Sequence, residues 1–244
     1  MKTAHLFWVA VLAALFATSV PGLAQDVTLS LGEDGTLTGR TLELLALITV
    51  LSLAPGIAIM ITCFPFVVTV LSILRQAIGL QQAPPNMLII SLSLFLTYFV
   101  MDPVFQDAWE AGIKPLLDEE INFETAFPLA MGPFRIFMAA RLDPDTFQTL
   151  VGLRPNAVVT STTDAPLSIL IPSFMLSEVA RAFQIGFLIF LPFLIIDLVV
   201  AAVLMSMGMM MVPPAVVSLP FKLAFFAVAD GWSLIAGALV RSYF

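Results

Sequence analysis

The chain has 244 residues, of which 60% are hydrophobic and 11% charged, with a mean hydropathy of +1.04 and a formal net charge of −7. A soluble domain carries about 45–50% apolar and about 25% charged residues, so a wholly water-facing surface is excluded and the natural solvent is lipid or other apolar subunits. The absence of a basic patch argues against nucleic acid as a partner, and the single cysteine, Cys63, excludes an intrachain disulfide and a thiolate metal site.

Lys2 and His5 precede a continuous apolar run from Leu6 to Thr18, and Gly22-Leu23-Ala24 supplies small residues before Gln25. That is the pattern of a secretory signal. The run is too short for a span, which needs about 20 residues. Residues 1–24 are therefore expected to be a signal peptide cleaved between Ala24 and Gln25, which places the mature N-terminus on the periplasmic side. Residues 25–41 are polar, with Gly32, Gly35 and Gly39, and read as a flexible leader.

Residues 42–106 read as an N-terminal helical hairpin. Leu44 to Leu74 carries no charge but is interrupted by Pro55-Gly56 and Pro65. Each proline removes a backbone donor and crowds the preceding turn, which predicts a kink or break. Gly79 and Pro84-Pro85 mark a turn, and Met87 to Met101 reads as a second apolar helix stopped by Asp102-Pro103. Residues 107–165 form the acidic middle: Met101 to Leu170 holds ten acidic and four basic residues. Short helices are expected there, near Asn122 to Ala130 and from Pro133 to Arg141, where proline suits a first turn. Phe134, Phe137 and Met138 would share one face.

Residues 166–244 are nearly continuous apolar sequence cut by Pro172, Pro192, Pro213-Pro214 and Pro220, and read as two broken helical hairpins. Leu-Pro-Phe at 191–193 and again at 219–221 hints at an internal repeat. The fold class is thus an all-α membrane protein, built of kinked and broken helical hairpins with a small helical soluble insertion.

Charges inside the apolar C-terminal third need a physical reason. Glu178 and Arg181 lie at helical spacing and can pair; Asp197, Lys222 and Asp230 stand more isolated. A charge at membrane depth costs several kcal/mol unless partnered or wet, so each is a functional candidate. The alternative is structural: ion pairs that set helix register, with Asp197 and Lys222 pairing across a hairpin.

The most unusual stretch runs from Met205 through Met207, Gly208, Met209, Met210 and Met211 to Pro213 and Pro214. Three uses are open for it: filling irregular core gaps, binding Cu(I) through thioethers, or a soft constriction that closes around nothing or around a passing chain. A non-helical backbone at membrane depth has to be buried in protein or line a cavity, which disfavours a lipid-facing loop. No phosphate-binding glycine loop and no nucleophile–base pair is present, and the only histidine, His5, lies in the signal peptide. Neither an enzyme nor a cofactor is expected.

Phe183-Gln-Ile-Gly-Phe187, Phe190-Leu-Pro-Phe-Leu-Ile-Ile-Asp197-Leu-Val, the Met205–Pro214 stretch, Leu219-Pro-Phe-Lys222 and Asp230-Gly-Trp232 together resemble the C-terminal signature of the FliP family of flagellar export-gate subunits. Leu74-Arg75-Gln-Ala-Ile-Gly79, Pro84-Pro85-Asn86 and Leu94-Phe-Leu-Thr-Tyr-Phe-Val-Met101 are similar to its first hairpin. The resemblance runs from Leu42 to Phe105 and from Pro166 to Tyr243. In the acidic middle Arg135-x-Phe137-Met138 carries it. Pro65-Phe66 departs from the family, which commonly has Thr-Arg there.

The resemblance implies a ring-like homo-oligomer, pentameric in the family, that joins FliQ-like and FliR-like subunits. Together they form a channel in the bacterial inner membrane, within the flagellar basal body. Its cargo would be unfolded rod, hook and filament proteins, its further partners export proteins of the FlhA and FlhB kind, and its energy would come from a proton-driven export protein and an associated ATPase. It also implies that Met209, Met210 and Met211 form the pore gasket with Met205 and Met207 in support, on a loop backbone shaped by Gly208, Pro213 and Pro214. Phe137 and Glu178 match positions of subunit contact, and Arg181, Asp197 and Lys222 join them as subunit or helix contacts. With the resemblance in hand the gasket outranks packing and copper. A virulence secretion gate, whose subunits generally lack a signal peptide, and a secondary transporter using Asp197 are the alternatives.

Overall fold

A computed structural model describes residues 37–80, 83–154 and 161–244. The expected signal peptide with its Ala24–Gln25 cleavage position, residues 25–36 of the expected leader and Pro155 lie outside the described residues. Every regular element among the described residues is helical, and two helices are long and apolar enough to cross a membrane, or three spans if a bent pair counts as one. The chain is an all-α membrane protein.

Helix α1 covers Leu37–Met60 and so takes in the last leader positions. Leu37–Ser52 belongs to a first unit, and everything from Leu53 onward to a second. Pro55 does not break α1. The break comes at residues 61–63, where the Thr62 hydroxyl donates to the Ile59 carbonyl at 2.9 Å. Pro65 then falls in the first turn of α2, Phe64–Ile78, where its missing N–H costs nothing. The kink expected at Pro65 is thus a helix start.

One face of α2 (Phe66, Val67, Val70, Leu71, Leu74, Ala77 and Ile78) is buried. It recurs at helical spacing and forms the centre of the main core. Gly79 closes the helix at φ +89° with its N–H on the Gln76 carbonyl, the left-handed stop that a side chain would strain. Arg75 then reaches across the turn to Asn86 Oδ1.

Helix α3, Asn86–Ala108, runs through Asp102-Pro103 rather than stopping there. It continues as a π turn, Trp109–Ile113, into α4, Lys114–Leu117. Gly112 of that turn is buried against α5, Phe123–Arg141: a Cβ on it would lie 2.6 Å from the Ala126 carbonyl and 2.6 Å from the Ala130 nitrogen. The expected pair of short helices is one helix, α5, with Pro128 and Pro133 inside it and Asn122 capping Thr125 N at 3.0 Å. Met138 is fully buried and Phe134 and Phe137 are partly buried, on one face as their spacing predicts. Helix α6, Pro144–Gly152, is capped by Asp143; hydrogen bonds from the Thr146 side chain and backbone hold that carboxyl below its usual range.

Helix α7, Leu167–Ser206, is a single helix of 40 residues with Pro172 and Pro192 inside. It is followed by α8, Pro214–Val228, and α9, Gly231–Arg241, bent by 61° at Asp230. The C-terminal third is therefore one long helix with a bent arm folded back on it, not two broken hairpins. A proline forfeits one bond of the ladder, and a backbone in apolar surroundings gains nothing by opening further. The Leu-Pro-Phe repeat has no structural counterpart, since Phe193 is buried (2% exposed) and Phe221 is exposed (58%).

α7 packs on α2 most extensively, and also on α5, α6 and α8. Gly186 allows the α2 contact, because a Cβ there would meet Ile73 Cδ1 at 2.4 Å. The Gly112 contact is less forgiving, since its neighbours include backbone atoms that cannot rotate away. Gly112→Ala should cost about 1–3 kcal/mol, the usual range for overpacking, and lower the thermal midpoint of the purified protein in detergent. Gly132→Ala, with open space at its Cβ, serves as the neutral control.

Candidate functional site

Helix α7 ends at Ser206 because Gly208 turns left-handed at φ +73°, and the N–H groups of Met207, Gly208 and Met209 close on the carbonyls of Val203, Met205 and Leu204. Pro213 is the N-cap of α8 and Pro214 its first residue. The double proline therefore starts a helix rather than ending one. Between these points the backbone is irregular, and five thioethers stand on the tip of the α7–α8 hairpin. Met205, Met207 and Met209 are exposed, and Met210 and Met211 are 84% and 97% exposed.

An apolar groove of about 560 Å³ runs below the tip between α7 and α8, lined by Ile195, Val199, Val203, Met207, Met209 and Phe221 among others. Its far end adjoins the first charge cluster. Lys222 Nζ on α8 is 2.6 Å from Asp197 Oδ2 on α7 and donates to the Ala77 carbonyl at 3.2 Å, at the end of α2. The Ser218 hydroxyl donates to Asp197 Oδ1 at 2.6 Å. Three helices are tied at this point. The cation also sits where the α2 carbonyls concentrate negative charge, which favours it. The pairing expected from sequence is present.

The second cluster surrounds Glu178, whose side chain is fully buried. Its expected pairing with Arg181 is present but long, at 3.5 Å. The tighter partner is Arg141 of α5, whose Nε lies 3.0 Å from Oε1. The Tyr243 hydroxyl donates to Oε2. Burial and the neighbouring carboxylate raise the Tyr243 phenol above its usual range, so it remains a donor. Phe137 stacks on Tyr243 with ring centroids 5.9 Å apart and meets Phe174 edge-on at 5.8 Å. Phe137 and Glu178 thus make contacts within their own chain. Asp230 sits exposed at the α8–α9 bend with φ +48°.

The structure brings Asp197 together with Lys222, and Phe137 with Glu178 and Arg181. The five methionines with Gly208, Pro213 and Pro214 form a separate surface at the hairpin tip. Reading the sequence missed Arg141, Ser218 and Tyr243. A tyrosine two residues past a helix end carries no periodic signal. Arg141 looked like an ordinary last-turn cation of α5. Only its burial reveals the role.

A model of the FliP family matches residues 47–239. The chain belongs to the FliP family. Flagellar biosynthetic protein FliP of Caulobacter vibrioides is 51% identical over 238 residues, covering 96% of this chain and 90% of its own length. The proteins of the same name from Bacillus subtilis and Aquifex aeolicus are each 45% identical; they cover 83% and 89% of this chain and 92% and 91% of their own lengths. The match includes the acidic middle, where inspection of the sequence found only Arg135, Phe137 and Met138 in common with the family. FliP-family proteins are components of the flagellar export apparatus, and theirs is not a known enzyme family.

Lys222 and Asp197 should behave as one unit. Removing one partner of a buried pair costs about 3–5 kcal/mol. Asp197 keeps 31% of its side chain exposed, so solvent screening places this pair below that range. Lys222→Met is expected to lower the thermal midpoint, and Asp197→Asn combined with Lys222→Met to recover part of the loss. Equal midpoints for the single and double variants would show that the two charges are not coupled.

Proposed function

We propose that this chain is a core subunit of the flagellar protein-export gate and that its methionine turn seals the pore at rest. The observation that carries the proposal is the placement of five methionines at an exposed hairpin tip, three of them (Met209, Met210 and Met211) held between left-handed Gly208 and the double proline. Exposed thioethers are costly on a lone membrane subunit and useful where several copies converge. Methionine is unbranched and polarizable, so neighbouring tips can close on one another and reopen around chains of varied sequence.

In this reading several copies, pentameric as in the family, join FliQ-like and FliR-like subunits in the inner membrane at the flagellar basal body. Unfolded rod, hook and filament proteins pass through, driven by FlhA-like and FlhB-like partners. The mature N-terminus faces the periplasm, residues 42–106 and 166–244 supply the channel-forming helices, and residues 107–165 form the soluble insertion. The flagellar names of the relatives favour this assignment over a virulence secretion gate. The engagement of Asp197 with Lys222 and Ser218 favours a structural use of that carboxylate over ion transport.

Replacing Met209, Met210 and Met211 with alanine in the assembled apparatus should leave complex levels unchanged and raise passive ion permeability several-fold, read as membrane depolarisation or dye entry. Wild-type permeability in the triple variant would refute the seal.

A further inference from the structure

Just past α9, Ser242 and Tyr243 are anchored on three other helices. The Tyr243 ring lies edge-on to Phe66 of α2 (centroids 5.6 Å apart) and stacks on Phe137 of α5, and the Arg141 guanidinium sits 4.0 Å from its centroid. Its hydroxyl donates to the buried Glu178 of α7, and Arg141 Nη1 donates to the Ser242 carbonyl at 2.8 Å. Helices α2, α5 and α7 all take part, through the fully buried Glu178 and the largely buried Arg141. The next residue, Phe244, is 78% exposed and takes no part.

The tie matters because of what lies between it and the methionines. Helices α8 and α9 form one bent arm that starts at the methionine turn and ends at Tyr243. Much of the arm is solvent-facing in the isolated chain, with Val228 and Leu234 exposed, so apolar packing alone holds it weakly. Its polar anchors are Ser218 and Lys222 on α8, both on Asp197, and Ser242 and Tyr243 at the far end.

We propose that residues 242–243 act as a strap, and that Tyr243 is a positioning residue. Through Glu178 and Arg141 it holds the α8–α9 arm, and with it the methionine turn, in place on α2, α5 and α7. The strap itself is independent of function, whereas its effect on the pore rests on the sealing role proposed above.

Tyr243→Phe, Tyr243→Ala and Phe244→Ala in the full chain, purified with the export complex, test this by two readouts. The first is the distance distribution between spin labels at Leu234→Cys on α9 and Phe187→Cys on α7; both sites are exposed, and Cys63 is buried away from the label. The distribution should stay narrow in the parent and in Phe244→Ala, broaden in Tyr243→Phe and broaden further in Tyr243→Ala. The second is ion leak per assembled complex, expected to rise several-fold in Tyr243→Ala and less in Tyr243→Phe.

If Tyr243→Ala yields no complex, Tyr243→Phe, which keeps the ring, decides. Unchanged label distances in every assembled Tyr243 variant overturn the strap, and broadening in Tyr243→Ala alone overturns the part given to the hydroxyl. Broadened distances with normal leak, alongside a leaky methionine triple variant, overturn the link from strap to seal and leave the seal standing. If the methionine variant is itself tight, the seal reading falls and the label distances still decide the strap.

Discussion

Helix α7 is held by two ionic contacts, Glu178 with Arg141 and Asp197 with Lys222, and the other helices are arranged around them. The two carboxylates are 19 residues apart on one helix, about 28 Å at 1.5 Å per residue. That is close to the thickness of a bilayer's hydrocarbon core, about 30 Å. Charges in such surroundings have to find partners, and the partners come from distant parts of the chain. Helix α2 runs alongside: its Phe66 end meets the Tyr243 ring, Ile73 packs on Gly186, and its Ala77 carbonyl receives Lys222. The contacts follow the same order on both helices, so α2 and α7 are parallel and share both anchor points.

Proline is used in two ways. Pro65, Pro115, Pro144 and Pro214 stand in the first turns of their helices, where no donor is lost. Pro55, Pro103, Pro128, Pro133, Pro172, Pro192 and Pro220 lie inside helices that continue past them. In water an interior proline costs about 3 kcal/mol or more and commonly ends the helix. In the apolar helices α1, α3, α7 and α8 an opened backbone has nothing else to bond with, so ending the helix costs more than losing one bond; this reason does not extend to Pro128 and Pro133 of α5, in the acidic middle. Breaks occur instead where something satisfies the ends: the Thr62 hydroxyl, Gly79 and Gly208.

The methionine turn follows from the same economy of backbone bonds. Left-handed Gly208 lets the last α7 carbonyls be capped within the turn, and Pro213-Pro214 begins α8 without needing donors of its own. Met210 and Met211 face outward, while Met207 and Met209 also line the groove beneath the tip with valine and isoleucine.

Composition alone determined the solvent and the class of fold, because 11% charged residues cannot cover a soluble surface of this size. The sequence also carried the methionine turn, the Glu178–Arg181 and Asp197–Lys222 pairings and the shared face of Phe134, Phe137 and Met138, since each depends on local spacing or on a rare charge in an apolar run. The tertiary structure decided where the helices end, because whether a proline breaks a helix depends on what surrounds the freed carbonyl. It also decided that Glu178 answers chiefly to Arg141 and Tyr243. Those partners lie 37 and 65 residues away, and a buried ion selects its partner by proximity in space, which linear spacing does not encode.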